Sequence, residues 1–303
     1  MANVIDIDYV PVEGVHHLDA SNYRKHARSQ PILTCENCKK QHGKQGVDVR
    51  RCQGCWSVGF CSKECQLASW PSHKAECRTL EIVLVLEHLA RNVYSNPFLL
   101  HFLRVAIILK LNPDINSLDS SRSTIPKPGE CLSLFVHLRM YPLSSEHAAK
   151  LYLGSIDAAS GKEKIPGFLN LSINAEPPEK VSLNGPKTPD VLTWKKARKD
   201  ADAAGRQDNP IVLVNFGYDD NYITTGIELT PDVFSTARGN PAPAAIQSAL
   251  PPGMELPSTI DGFRPIFSMI DKYIELDEED KLKLRRDLRR VDKEFVRRLA
   301  STN

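Results

Sequence analysis

At 303 residues, 41% hydrophobic and 25% charged, the chain can hold two or three domains and has the make-up of a water-soluble globular protein with a sizeable core. Its 39 basic and 37 acidic side chains leave a formal charge of +2, so no overall field draws it toward nucleic acid or a membrane surface. Composition names no partner.

In chain order, the opening MANVIDIDYVPVEGVHHLDA carries acids where a secretory signal carries bases, and no apolar run follows. Residues 1–32 read as an N-terminal tail, and the expected location is intracellular, with nucleus and cytoplasm undecided. In that compartment cysteines stay thiols unless a metal holds them.

Seven of the eight cysteines then crowd into residues 35–77. With one histidine they are spaced Cys35-x2-Cys38-x13-Cys52-x2-Cys55-x5-Cys61-x3-Cys65-x7-His73-x3-Cys77. Eight ligands suit two tetrahedral zinc sites, and each Cys-x2-Cys is a turn that aims two thiolates at one ion. Ser62 is placed to cap a helix over SKECQLASW, putting Cys61 and Cys65 on one side. Pro71 is expected to end that helix and begin a second, on which His73 and Cys77 share a face. Each helical pair can complete a site begun by one knuckle. The apolar content here, Val47, Val49, Trp56, Val58, Phe60, Leu67 and Trp70, is thin for an independent core, whereas structural zinc contributes roughly 10 to 16 kcal/mol per site in small finger peptides. Disulfides need an oxidising compartment, catalytic zinc needs an open position, and a redox Cys-x2-Cys needs a surrounding βαβ pattern; closed structural zinc meets none of these objections.

The ligand order, six cysteines, then His, then Cys, with FCSKECQLASWPSHKAEC as its second half, resembles the MYND-type zinc finger. RING and PHD fingers place their histidine earlier. The resemblance covers about residues 33–79 and implies an interleaved arrangement, with Cys35, Cys38, Cys61 and Cys65 on one zinc and Cys52, Cys55, His73 and Cys77 on the other. The 13-residue gap before Cys52 looks long for the family and contains His42, a rival ligand set beside Gly43 in an expected loop. The resemblance further implies a protein-interaction device for proline-rich segments, often of PxLxP type, with Gln66 and Trp70 at the peptide-binding positions. These two are an i, i+4 pair rotated by roughly 100° from the Cys61/Cys65 stripe, so they are expected to face away from zinc and offer an amide and an aromatic platform to a rigid proline helix. Packing of Trp70 as core is the competing reading, and the role of Gln53 between the second pair of cysteines is open.

Beyond Cys77, RTLEIVLVLEHLARNVYSNPFLLHFLRVAIILKL reads as two apolar helices broken near Asn96-Pro97; Glu87, Arg91, Arg104 and Lys110 interrupt it short of the ~20 apolar residues of a membrane span. From 131 the pattern turns β-rich in CLSLFVHLRMYP, GFLNLSINA, PIVLVNFGY and YITTGIELT, with helical stretches near 144–153 and 189–204. Residues 80–303 are thus expected to be a mixed α+β domain of unassigned role. Asp219 and Asp220 read as turn residues rather than a carboxylate pair, and Cys131 as a buried thiol in a strand. RGNPAPAAIQSALPPGMELP reads as a loop or linker. A long amphipathic helix is expected to close the chain on Leu284, Leu288, Val291, Phe295 and Leu299, its acidic start (275–280) and basic remainder matching the helix dipole better than a nucleic-acid patch.

These readings combine into a non-enzymatic binding protein: a two-zinc finger that docks protein partners with proline-rich motifs, joined to an α+β domain, with no membrane and no nucleic-acid partner. Two enzymatic alternatives stand beside it. One is a lysine methyltransferase of the SET-and-MYND kind, against which the sequence shows only about 30 residues before Cys35 and no NHSC-like segment. The other is ubiquitin ligation by analogy with cross-braced RING fingers.

Overall fold

The computed structural model describes residues 15–17, 34–44, 46–52, 58–77, 79–113, 115, 124–127, 129–155, 164–173, 176–184, 188–218, 221–256 and 262–301. They fall into two compact units: Ala90–Phe216 and Thr224–Asn303 with the first strand, and Leu18–Leu89 with Gly217–Ile223. The architecture is α+β with an N-terminal finger, as the sequence pattern anticipates.

The smaller unit holds strands β2 (Arg50–Arg51) and β3 (Gly59–Phe60), paired antiparallel, and helix α1 (Lys63–Cys77), with helix α2 (Thr79–Ser95) following in the chain. Helix α1 starts where expected, since Ser62 Oγ accepts the Cys65 N–H at 3.2 Å. It does not stop at Pro71. The proline lies inside one continuous helix, which corrects the two-helix expectation. Pro71 removes the donor that would meet the Leu67 carbonyl, and Leu67 is exposed, so water can serve that group.

The larger unit begins its helices with α3 (Pro97–Leu111), where the predicted break at Asn96-Pro97 is a cap: Asn96 Oδ1 accepts the Leu99 N–H at 3.0 Å and Pro97 takes the first turn. Then follow strand β4 (Leu132–Pro142), helix α4 (Ser145–Tyr152), strands β5 (Pro166–Ile173) and β6 (Glu179–Lys180), and helix α5 (Pro189–Ala203). Strands β7 (Ile211–Tyr218) and β8 (Asn221–Glu228), helices α6 (Pro231–Ala237), α7 (Ala244–Gln247) and α8 (Arg264–Glu275), strand β9 (Arg285–Asp287) and helix α9 (Arg290–Ser301) complete it. Val15–His17, read from sequence as tail, form strand β1 at the sheet edge, antiparallel to β8. The sheet order is β1-β8-β7-β4-β5-β9, with β6 also on β4.

Burial explains the order. Along β4, Leu134, Val136, Leu138 and Met140 are buried and the residues between them are half-buried, the period of two of a strand covered on one face. Nearly all of β7 is buried, as befits an interior strand. Helix α3 is buried almost all round and packs on α6, α7 and α8. Phe98 stacks on Tyr273 with ring centroids 4.1 Å apart, and buried His101 ties α3 to α6 through Thr236 Oγ1 at 3.1 Å. Among the described residues no single helix is long and apolar enough to cross a membrane; only the pair Val85–Ser95 and Pro97–Leu111, bent by 93°, passes that test together.

Cys131 is buried beside Trp194, Ala197 and Ile211, and burial pushes its thiol up to about 12, making it inert as a nucleophile. The Pro/Ala-rich segment expected as linker contains α7, with Ala242 and Ile246 buried. The closing helix is amphipathic but begins only at Arg290, because Arg285–Asp287 pair with Pro166–Phe168 of β5 and hold Leu284 and Leu288 beside the sheet. Its innermost apolar residue is Val296 rather than Val291, while Phe295 lies under the Arg139 guanidinium at 3.8 Å. Asp219 and Asp220 lie outside the described residues.

On α8, Asp271 accepts the Leu171 N–H at 2.9 Å and a bond from the Asn170 amide, capping the edge of β5 beyond β9. Burial pushes its carboxyl from an ordinary 3.8 up to about 7. The folded chain therefore holds this proton to higher pH than the unfolded chain does, so the group's stabilising share is full below about pH 4 and lost as pH rises through 7. Asp271→Asn should melt on the order of 3 °C above wild type at pH 8, with the gap closing near pH 4.5; calorimetry at the two pH values checks it.

Candidate metal centre

Main-chain turns build the first ligand set. Cys35 accepts the Lys39 N–H at 2.9 Å and donates its own N–H to the Lys40 carbonyl at 2.9 Å, with Lys39 in the left-handed region (φ 57°), which folds 35–40 into a tight knuckle. Glu36 N–H bonds the Gly59 carbonyl at 2.8 Å, drawing that knuckle against β3 and hence beside Cys61, which follows it. The capped start of α1 then lifts Cys65 to the same point.

The sulfurs of Cys35, Cys38, Cys61 and Cys65 all lie within 4.8 Å of one another, and Cys38–Cys61 and Cys61–Cys65 are each 3.5 Å apart. A zinc ion with Zn–S of about 2.3 Å spaces tetrahedral sulfurs by about 3.8 Å, so this set fits zinc. Cys35 is fully buried, Cys61 and Cys65 half-buried, and Cys38 exposed.

Their proton affinities diverge. Burial pushes the Cys35 thiol up, but N–H groups of Cys38, Cys61 and Asn37 aimed at its sulfur outweigh it and bring it down to about 6. Hydrogen bonds with Cys38 and Cys65 push Cys61 up to about 12. The Asn37 side chain, with Cys61 next, lowers Cys65. Four thiols so close cannot all ionise alone; a divalent cation in their midst replaces the protons.

Of the second set, the structure describes two side chains. Cys52 and His73 are buried, with His73 Nε2 3.3 Å from Cys52 Sγ, near the roughly 3.5 Å expected between an imidazole nitrogen and a thiolate on one tetrahedral zinc. Cys52 is placed by its N–H bond to the Val58 carbonyl at 2.8 Å. Cys55, with Gln53 and Trp56, lies outside the described residues, as does the side chain of Cys77, whose backbone ends α1 one turn after His73. His42 is not gathered with either set: its Nδ1 accepts the Val49 N–H at 3.0 Å and braces the long loop before Cys52.

Gln66 and Trp70 sit differently from expectation. Because α1 runs through Pro71, positions 66, 70, 73 and 77 form one stripe, and the first two point toward the second ligand set rather than away from metal. Gln66 Nε2 donates to Cys52 Sγ at 4.0 Å, and the Trp70 ring meets His73 edge-on at 5.9 Å. Trp70 remains 38% exposed and its neighbour Leu67 62%, so the outer side of this stripe is open and apolar. Ligand spacing does not single out Asn37, whose side chain serves Cys65, or Ser69, whose Oγ donates to Asn37 Oδ1 at 3.3 Å; an amide inside a Cys-x2-Cys turn is the available signal.

This geometry defines a cysteine-rich zinc finger on a capped helix. Residues 35–77 match the zinc-finger family described as MYND finger, a zinc-binding protein-interaction module. The chain is similar to the SET domain and MYND-type zinc finger protein 6 of Schizosaccharomyces pombe, 42% identical over 48 residues (16% of this chain, 9% of the relative). It is also similar to SET domain-containing protein 14 of Caenorhabditis elegans, 28% identical over 88 residues (29% and 18%), and to a SET and MYND domain-containing protein of Dictyostelium discoideum, 34% identical over 53 residues (17% and 10%). The chain thus spans 9% to 18% of the lengths of these curated relatives. No solved structure matches. The expectation of a non-enzymatic protein is corrected here, since all three relatives are named for a SET domain, although the alignments cover only 16–29% of this chain. Finger spacing alone could not carry that information, because it reports on metal and not on what accompanies it.

Replacing Cys61, whose sulfur touches two of the others, should be the most damaging change to the first set. Cobalt-loaded wild type is expected to show intense thiolate charge-transfer and tetrahedral absorption bands, and Cys61→Ser to lose most of the charge-transfer intensity.

Proposed function

We propose that the finger, residues 33–79, binds two zinc ions and docks proline-rich segments of partner proteins on the outer face of α1, and that residues 80–303 are a separate α+β domain in the chain. The first ion takes Cys35, Cys38, Cys61 and Cys65; the second takes Cys52, Cys55, His73 and Cys77. The observation that carries the docking role is the exposed pair Leu67 and Trp70 at the outer edge of the stripe that carries the ligand His73. A half-open indole backed by His73 is a rigid surface, so a proline helix binds it with little ordering cost on either side. Gln66, hydrogen-bonded to Cys52, stands beside it to meet a peptide carbonyl.

Titration of labelled PxLxP peptides should give saturable binding to wild type and about tenfold weaker binding to Trp70→Ala, a loss of roughly 1.4 kcal/mol. Equal binding by the variant sinks the docking face. Native mass spectrometry of chelator-free protein is expected to show two zinc ions per chain, and one ion would remove the second site from the proposal.

A second reading, lysine methyl transfer, is favoured by the SET-domain names of the relatives. It is separated from docking by incubation with labelled S-adenosylmethionine and candidate protein acceptors, where transfer of label supports it.

A further inference from the structure

The first sulfur set carries a layer of polar groups beyond the ligands. Asn37 lies inside the knuckle between Cys35 and Cys38, and its side-chain amide hydrogen-bonds the Cys65 sulfur. Ser69, buried one turn after Cys65 on α1, donates from Oγ to Asn37 Oδ1 at 3.3 Å. An amide has one accepting oxygen and one donating nitrogen, so a hydroxyl on the oxygen side fixes which end meets the sulfur. The link spans 32 residues of sequence and joins the knuckle to the helix independently of any metal.

We infer that Ser69 and Asn37 are positioning residues that hold Cys65 in place for zinc and damp the nucleophilicity of its thiolate. The inference rests on the proposal that this set binds zinc. Four thiolates on a divalent cation leave two excess negative charges on the sulfurs. An N–H aimed at a sulfur draws part of that charge away, which slows attack on electrophiles and so slows metal loss. Backbone N–H groups supply this to buried Cys35. Half-buried Cys65, at the start of a helix, receives a side-chain amide instead. Gln66 repeats the pattern from the opposite direction, a helix amide directed to the knuckle sulfur of Cys52 at 4.0 Å. Outer groups of this kind typically change metal affinity by about 10- to 100-fold when removed.

The test uses the full zinc-loaded chain as wild type, Ser69→Ala, Ser69→Thr and Asn37→Ala. Zinc affinity is read by chelator competition, and alkylation of each cysteine by N-ethylmaleimide is followed by peptide mass spectrometry. Ser69→Ala and Asn37→Ala are expected to bind zinc about tenfold more weakly and to raise the Cys65 alkylation rate severalfold relative to exposed Cys38 in the same molecule, with Ser69→Thr close to wild type. If Asn37→Ala does not fold, the Ser69 pair decides alone. Equal acceleration at Cys38 and Cys65 would mean general loosening and overturns the positioning role, as does an unchanged Cys65-to-Cys38 ratio. Wild type without zinc overturns the zinc proposal and this inference together; zinc-bound wild type with an unaffected Ser69→Ala overturns the inference alone.

Discussion

Four sulfurs held within 4.8 Å of one another are the constraint on which the finger turns. Three local devices deliver them: a knuckle closed by Lys39 in a left-handed conformation brings Cys35 and Cys38, the end of a two-residue strand brings Cys61, and a helix start capped by Ser62 brings Cys65. None of these pieces is stable alone, because a two-strand ribbon and one helix bury too little apolar surface to offset chain entropy. The small apolar cluster of Val49 and Phe60, packed with Cys35 and Cys52, shows how far the ligands themselves stand in for a core. In small zinc domains generally, metal binding and folding are coupled in this way.

The two pairs of the first ligand set were legible in the sequence, since a turn brings Cys35 and Cys38 together and a four-residue step brings Cys61 and Cys65 together; that these two pairs share one site was implied only by the family resemblance. The course of the chain between the sets was less legible. Proline is a strong local signal against helix, yet Pro71 is tolerated because the carbonyl it orphans belongs to an exposed turn. The expectation that Gln66 and Trp70 face away from zinc takes account only of the Cys61/Cys65 stripe, whereas a helix continuous through Pro71 also gives them the stripe of His73. Similarly, heptad-like spacing from Leu284 to Leu299 suggested one long helix, and only the pairing of Arg285–Asp287 with β5 reveals that the first part is strand. Periodicity describes a face; it does not say which partner the face meets.

The α+β region follows its pattern more closely, with β4, β5, β7 and β8 where alternating or continuous apolar runs placed them and α4 and α5 in between. What sequence did not reveal there is polar. Glu228 is fully buried and held by Arg206 at 2.8 Å and Asn209 at 2.6 Å, while Asp271 caps a strand edge from a helix. Such groups pair across long sequence separations, so no window of neighbouring residues announces them. The relatives named for SET domains match through the finger rather than through this region.

Strand β1 changes the topological status of the finger. Val15–His17 pair with β8 in the large sheet and Ala90 belongs to the same unit, so in chain order the zinc-bearing segment is an insertion into that unit rather than a terminal extension of it. The entropy of closing a loop grows only slowly with its length, so a sheet that holds Val15–His17 at its edge can carry a long insertion before Ala90 at small thermodynamic expense.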